Sequence, residues 1–237
     1  MRTGQIAKIY NCWATTIEHH LKRWEIPIRK ERYNAKYSID LTCFDNIDTQ
    51  EKAYFLGLLL ADGHLSKDNL IMLTMKDLDI VEKYKKFLKT DCPIKQDRYG
   101  NYSLNVKSKH IADALKKIGF HNRKSYNIDF DRVLSFVPDN LLHHFVRGMF
   151  DGDGSIKIYH YEYCKNPQYH FGYTGLENII LWIKQYLRLK TKIVKESDLT
   201  YTCVTSCKGT IKSIFEKLYK DATVYIDRKY NTFLEII

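Results

Sequence analysis

The chain has 237 residues, 44% hydrophobic and 14% aromatic, a globular composition with room for one or two domains. Lysine and arginine outnumber the acids by 38 to 28, and the net charge of +10 favours a polyanionic partner, nucleic acid before membrane. No run of 18 apolar residues exists and MRTGQIAKIYNCW has no apolar targeting core. A spanning helix is thereby excluded, no secretory signal is expected, and the expected location is cytoplasm or an organellar matrix. Six cysteines, at 12, 43, 92, 164, 203 and 207, lack zinc-finger spacing and read as reduced thiols.

Residues 1–30 read as a separable helical module. TGQIAKIY places Ile6, Ala7 and Tyr10 at helical spacing, Asn11-Cys12-Trp13 reads as a tight turn, and ATTIEHHLKRW puts Ile17, Leu21 and Trp24 on one face. Two short helices joined by a turn resemble a helix-turn-helix, with Thr15, His19 and Lys22 facing DNA. A plain helical hairpin has the same pattern. Trp13 stands where a Ser or Thr cap is usual, and Asn11 suits a left-handed turn residue. Residues 31–44 read as a basic linker. With Arg29, Lys30 and Arg32 just before and within it, the segment suits a phosphate backbone or a minor groove, or equally a solvated tether.

From residue 45 the chain repeats itself. AYFLGLLLADGHL (53–65) and HFVRGMFDGDGSI (144–156) align, with Asp62 and Asp153 at the same place 91 residues apart. The parts that follow match too. Strand-like 69–74 and 101–108 lead to helix-like 77–90 and 109–120, as strand-like 168–174 and 199–206 lead to helix-like 176–189 and 209–220. Residues 45–135 and 136–237 are therefore read as two halves of one architecture. In NYSLNVKS, Ser103, Asn105 and Lys107 alternate with Leu104 and Val106. In SIKIYHYEY, Lys157, Tyr159, Tyr161 and Tyr163 alternate with Ile156 and Ile158. One face packs on helices; the other could read DNA or be an ordinary half-solvated sheet face.

Gly57 and Ala61 are four apart, as are Gly148 and Gly152, so each pair shares one helix face and lets two helix backbones approach closely. Gly63 and Gly154 then read as left-handed helix caps. Asp62 and Asp153 fall side by side at helix C-terminal ends, where the helix dipole disfavours a carboxylate. Hard divalent cations relieve that arrangement, and magnesium fits.

The segments 55–63 and 146–154 resemble the LAGLIDADG motifs of homing endonucleases, letter for position, and the resemblance extends over about residues 45–237. It implies an α+β fold of two pseudo-symmetric αββαββα halves packed through their motif helices, beside the small N-terminal helical module. It also implies a site-specific double-strand DNA endonuclease acting as a monomer at a long site and leaving 3′ overhangs. Asp62 and Asp153 would be catalytic and, with Ala61 and Gly152, would hold two or more magnesium ions. Lys124 and Lys229, late in each half, would stand near the scissile phosphates, although surface lysines would give the same pattern. The first motif departs at its sixth letter, where Leu60 stands against Asp151 in the second. A catalytically silent DNA-binding regulator or an RNA maturase would use the same scaffold. Binding alone does not require the acidic pair.

Overall fold

The computed structural model describes residues 6–7, 9–24, 26, 37–121 and 128–237. It divides into two compact units, Met1–Lys36 and Tyr37–Ile237. In the first unit Ile6, Ala7 and Ile9 are helical, the Tyr10 and Cys12 amides donate to the carbonyls of Ile6 and Ala7, and Asn11 takes the left-handed conformation at φ 49°. Helix α1 (Ala14–Arg23) follows, with Trp13 at its N-cap supplying no side-chain acceptor. Thr15, His19 and Lys22 are exposed on α1, while Arg29, Lys30 and Arg32 lie outside the described residues.

The second unit begins at Tyr37, within the segment read as a linker. Ser38 donates its amide to Asp91 Oδ1 at 2.6 Å, the Asp40 amide bonds the Leu88 carbonyl, and Cys43 and Phe44 are buried. The first half then runs α2 (Gln50–Ala61), β1 (Gly63–Leu65), β2 (Leu70–Met75), α3 (Leu78–Phe87), β3 (Lys95–Gln96), β4 (Tyr102–Lys107) and α4 (Lys109–Ile118). The second half repeats the order with α6 (Leu142–Asp153), β5 (Gly154–Tyr159), β6 (Gln168–Gly175), α7 (Glu177–Tyr186), β7 (Ile193–Lys195), β8 (Tyr201–Thr205) and α8 (Lys208–Tyr219). Each αββαββα half is followed by one further helix, α5 (Phe130–Ser135) or α9 (Asp227–Ile236). Both sheets are antiparallel and share one strand order, β1-β2-β4-β3 and β5-β6-β8-β7.

Sequence alternation sets the sheet faces as expected. Ile71, Leu73, Leu104 and Val106 are buried in the first sheet, and Ile156, Phe171, Tyr173 and Cys203 in the second. The two motif helices α2 and α6 pack against each other along their length. Eight of twelve residues of α2 are buried, so it is apolar around most of its circumference, as a central helix must be. The six cysteines are all free thiols. Among the described residues, no helix is long and apolar enough to cross a membrane.

Candidate active site

The site is built where α2 and α6 end. A Cβ on Gly57 would overlap the Phe145 carbonyl oxygen and come within 3.0 Å of the Met149 amide nitrogen. A Cβ on Gly148 would overlap the Tyr54 carbonyl oxygen and lie 2.9 Å from the Leu58 amide nitrogen. The obstructing atoms are backbone, so only glycine permits this approach. Farther along, a Cβ on Gly152 would strike that of Ala61 and come within 3.0 Å of Asp62 Oδ2. Asp62 caps α2, Asp153 is the last residue of α6, and both are exposed.

Gly63 and Gly154 do not take the left-handed conformation expected of them. They open strands β1 and β5, and Gly154 is extended at φ −86° and ψ 161°. Crowding is what demands glycine there. A Cβ on Gly63 would sit 2.6 Å from the Leu59 carbonyl oxygen, and one on Gly154 would overlap the Phe150 ring.

The two aspartates open into different cavities. Asp62 lines one of about 380 Å³ together with Asn101, Lys76 and Lys157. Asp153 lines one of about 530 Å³ together with Tyr173, Thr174 and Thr200. Both halves line each cavity: Lys76 and Asn101 meet Lys157 and Arg228 at the first, and Leu60 and Ala61 meet Tyr173 and Thr200 at the second. Gly152 leaves open the space beside Asp62 that a side chain would fill. Carboxylates flanked by helix-end backbone carbonyls are hard oxygen donors, so this set fits a magnesium-like cation.

Lys229 is only 4% exposed. Its Nζ donates to the carbonyls of Phe150, Asp151 and Gly154 at 2.8, 2.7 and 2.6 Å, which uses all three ammonium protons at the end of α6. Burial pulls its pKa down to about 8, against the opposing charges of Asp151 and Asp62. The ammonium thus caps the helix that carries Asp153, while the residue also lines the Asp62 cavity. Lys124 lies outside the described residues.

Asp151 explains the asymmetry at the sixth letter. It is 1% exposed and accepts from Tyr54 Oη at 2.6 Å, Tyr219 Oη at 2.8 Å and the Ile226 amide at 2.9 Å. Burial pushes its carboxyl up, while Lys229 and these donors oppose the shift. Arg147, fully buried, donates to the carbonyls of Val224 and Leu218 and to Gln50 Oε1. Together they fasten residues 218–226, and with them the start of α9 and Lys229. The corresponding residues of α2 are Leu56 and Leu60, both buried and apolar. Two cross-ties hold α9 against the first half: Arg228 forks onto both oxygens of Asp77 at 3.0 and 2.9 Å, and Lys83 reaches Asp227 at 2.6 Å.

Of the strand residues singled out for DNA, Ser103, Asn105 and Lys107 share the face of β4 opposite its buried Leu104 and Val106. Lys157 stands beside the Asp62 cavity, and Tyr159 and Tyr161 are exposed. Among the described residues, one other group brings ligand atoms together: His143, His144 and Asp221. Arg147 Nη1 approaches His144 Nδ1 at 2.7 Å. Guanidinium can only donate, so Nδ1 accepts and the neutral ring carries its proton on Nε2, the atom a metal would need. Burial and the Arg147 charge hold His144 down to about 4, which keeps it neutral. This cluster is a hydrogen-bonded anchor for the α8–α9 loop.

No protein-family model matches the chain. Two curated proteins of Methanocaldococcus jannaschii are similar to it. The uncharacterized protein MJ0314 is 28% identical over 166 residues, 68% of this chain and 60% of that protein. A glutamine–fructose-6-phosphate aminotransferase is 24% identical over 119 residues, 48% of this chain and 11% of that protein. The chain therefore spans less than two thirds of either relative. Among solved structures, the I-LtrWI LAGLIDADG homing endonuclease bound to target DNA superposes with a TM-score of 0.56 at 14% identity, covering 83% of this chain and 90% of its own. The meganuclease I-SmaMI bound to uncleaveable DNA gives 0.55 at 15% identity, covering 78% and 88%. I-GzeII in complex with its DNA target gives 0.55 at 12%, again covering 78% and 88%. With its two motif helices packed through glycine and its paired four-stranded sheets, the chain has the fold of the LAGLIDADG homing endonucleases.

Proposed function

We propose that the chain is a magnesium-dependent, site-specific DNA endonuclease that cuts both strands and leaves 3′ overhangs. The observation that carries this reading is the pair of exposed carboxylates, Asp62 and Asp153, at the ends of two helices held together by glycine. Binding DNA does not require two acids at helix ends, where the helix dipole opposes them. The solved neighbours support the reading: I-LtrWI, I-SmaMI and I-GzeII are seen with DNA, and an I-SmaMI complex was obtained with calcium ions.

In this reading Asp62 and Asp153, with the backbone at Ala61 and Gly152, hold the divalent ions. Those ions supply charge stabilisation at the phosphate and an activated water. The chain's own residues do the positioning. Lys76 and Lys157 bring positive charge to the phosphate at the Asp62 cavity. Lys229 neutralises the carbonyl end of α6, so the carboxylate beside it sits in a less negative field. Lys124 keeps the role the resemblance gives it at the second site. Ser103, Asn105, Lys107, Lys157, Tyr159 and Tyr161 form the DNA-facing strand surface. Residues 1–30, through Thr15, His19 and Lys22, extend the contact, with Arg29, Lys30 and Arg32 following the backbone. The chain acts as a monomer whose internal pseudo-two-fold relation supplies one acid per strand.

Selection from a randomised duplex library tests this. Wild type with magnesium should release cut ends of one long consensus, and with calcium should retain the same duplex uncut. Enrichment of bound, uncut duplex under both conditions would overturn the enzyme reading.

A further inference from the structure

The two halves differ in how far their first hairpin reaches. In the first half β1 has three residues, and the turn Ser66–Asn69 closes it with Asn69 left-handed at φ 60°. In the second half β5 has six residues and pairs with β6 through Tyr159↔Gln168, before an eight-residue loop, 160–167. Three further residues carry the strand roughly 10 Å farther at about 3.3 Å each.

This extension carries a row of rings. Tyr159 and Tyr161 stack at 6.0 Å between centroids and 19° between planes, and Tyr161 and Tyr163 at 5.3 Å and 24°. His170 meets Tyr159 edge-on at 6.4 Å. Ser155 Oγ holds His170 Nε2 at 3.1 Å, and Gly172 leaves the room, since a Cβ there would lie 2.8 Å from that nitrogen. The row is nevertheless open to solvent, Tyr163 being 82% exposed and Tyr161 41%. The short turn of the first half, Ser66-Lys67-Asp68-Asn69, has no ring.

Two observations point to the partner. Lys157, on the same strand face as Tyr159, lines the Asp62 cavity, so the row continues the surface proposed to meet DNA. Lys157 and Lys165 flank it against the single acid Glu162. Tyr161 has a ring on each side, and the row still leaves apolar ring surface open, most of all at Tyr163. In the major groove the apolar group on the base edges is the thymine 5-methyl. We propose that Tyr159, Tyr161 and Tyr163 read thymine methyl groups at the outer end of one half-site, over about three base pairs at 3.4 Å each. The two half-sites are then read with different chemistry and to different lengths. This rests on the DNA-binding reading above.

The test is affinity selection from a randomised duplex library copied with either thymidine or deoxyuridine, which differ by the methyl alone. Wild type, Tyr163→Ser and Tyr161→Ser/Tyr163→Ser are compared in calcium. Wild type should enrich thymine at about three adjacent outer positions of one half-site. The deoxyuridine copy should lose about four-fold per position, the effect of burying one methyl. The double variant should lose the same outer preference while the rest of the consensus stays. The deoxyuridine arm uses the native chain, and Tyr163 lies at an exposed tip, so a folding defect cannot mimic the result. An outer preference for another base, one kept in deoxyuridine, or weaker binding with an unchanged consensus would each overturn the proposal while leaving DNA binding intact. Failure of wild type to enrich any duplex would overturn both.

Discussion

Gly57 and Gly148 hold the same place in the two motif helices: each lies against a carbonyl oxygen of the opposite helix, at Phe145 and Tyr54, which are themselves 91 residues apart. The contact is backbone on backbone, so no rotamer change can absorb an added methyl. Gly57→Ala and Gly148→Ala should each lose about 3 kcal/mol or more, at or beyond the upper end for overpacking. Gly209→Ala, in α8 with open space around it, should lose nothing. Urea midpoints of the three variants check this.

Asp151 gathers three donors in a buried place that Leu60 fills with hydrocarbon in the other half. Asp151→Leu, which copies the first motif, strands two phenols and an amide and should lose roughly 3–5 kcal/mol. Asp151→Asn keeps one acceptor oxygen and should lose less. Equal losses would show that the charge matters and the hydrogen bonds do not. Denaturant unfolding distinguishes the two.

The His144 imidazole, held neutral by burial and by Arg147, gives stability a pH dependence. Its folded pKa of about 4 lies below the ordinary 6.5, so between these values the unfolded chain binds more protons. The stabilisation is full above pH 6.5 and is lost as pH falls toward 4, by about 1–3 kcal/mol. His143, Asp221 and Arg147 face the ring, and Asp221 offsets part of the effect. His144→Gln, which keeps an acceptor for Arg147, should flatten the profile over this window. Unfolding free energy measured from pH 4 to 7 checks it.

The N-terminal unit should lengthen the footprint without taking part in the chemistry. Thr15→Ala/His19→Ala/Lys22→Ala is expected to weaken binding and shorten the protected stretch, and to reduce the salt slope by about one through Lys22. Cutting of tightly bound duplex should persist. Footprints at two salt concentrations check this.

What was readable from the chain was whatever repeats or alternates. Two motifs 91 residues apart, small residues at four-residue spacing, and the two-residue alternation of 101–108 placed the central helices and the sheet faces. The strands of two or three residues, Lys95–Gln96 and Ile193–Lys195, are too short to show a period. Gly63 and Gly154 were read for backbone freedom, but what selects them is crowding by Leu59 and Phe150, visible only in three dimensions. Lys229 could be placed late in its half, yet nothing in the residue order tells that its ammonium turns back onto three carbonyls of α6. Arg147 occupies a helix position that reads as core, and its partners lie about 70 residues away, at Leu218 and Val224. The tyrosine row was half legible: alternation set Tyr159, Tyr161 and Tyr163 on one face, while the stacking of their rings shows only in three dimensions.

The most direct test of the central claim is strand-resolved, single-turnover cleavage of a selected duplex in magnesium, with affinity measured separately in calcium. Wild type should cut both strands. Asp62→Asn and Asp153→Asn should bind within a few-fold of wild type and lose cutting by at least about a hundred-fold. Cleavage at the wild-type rate by both variants would contradict the assignment of the acidic pair and, with it, the proposed mechanism.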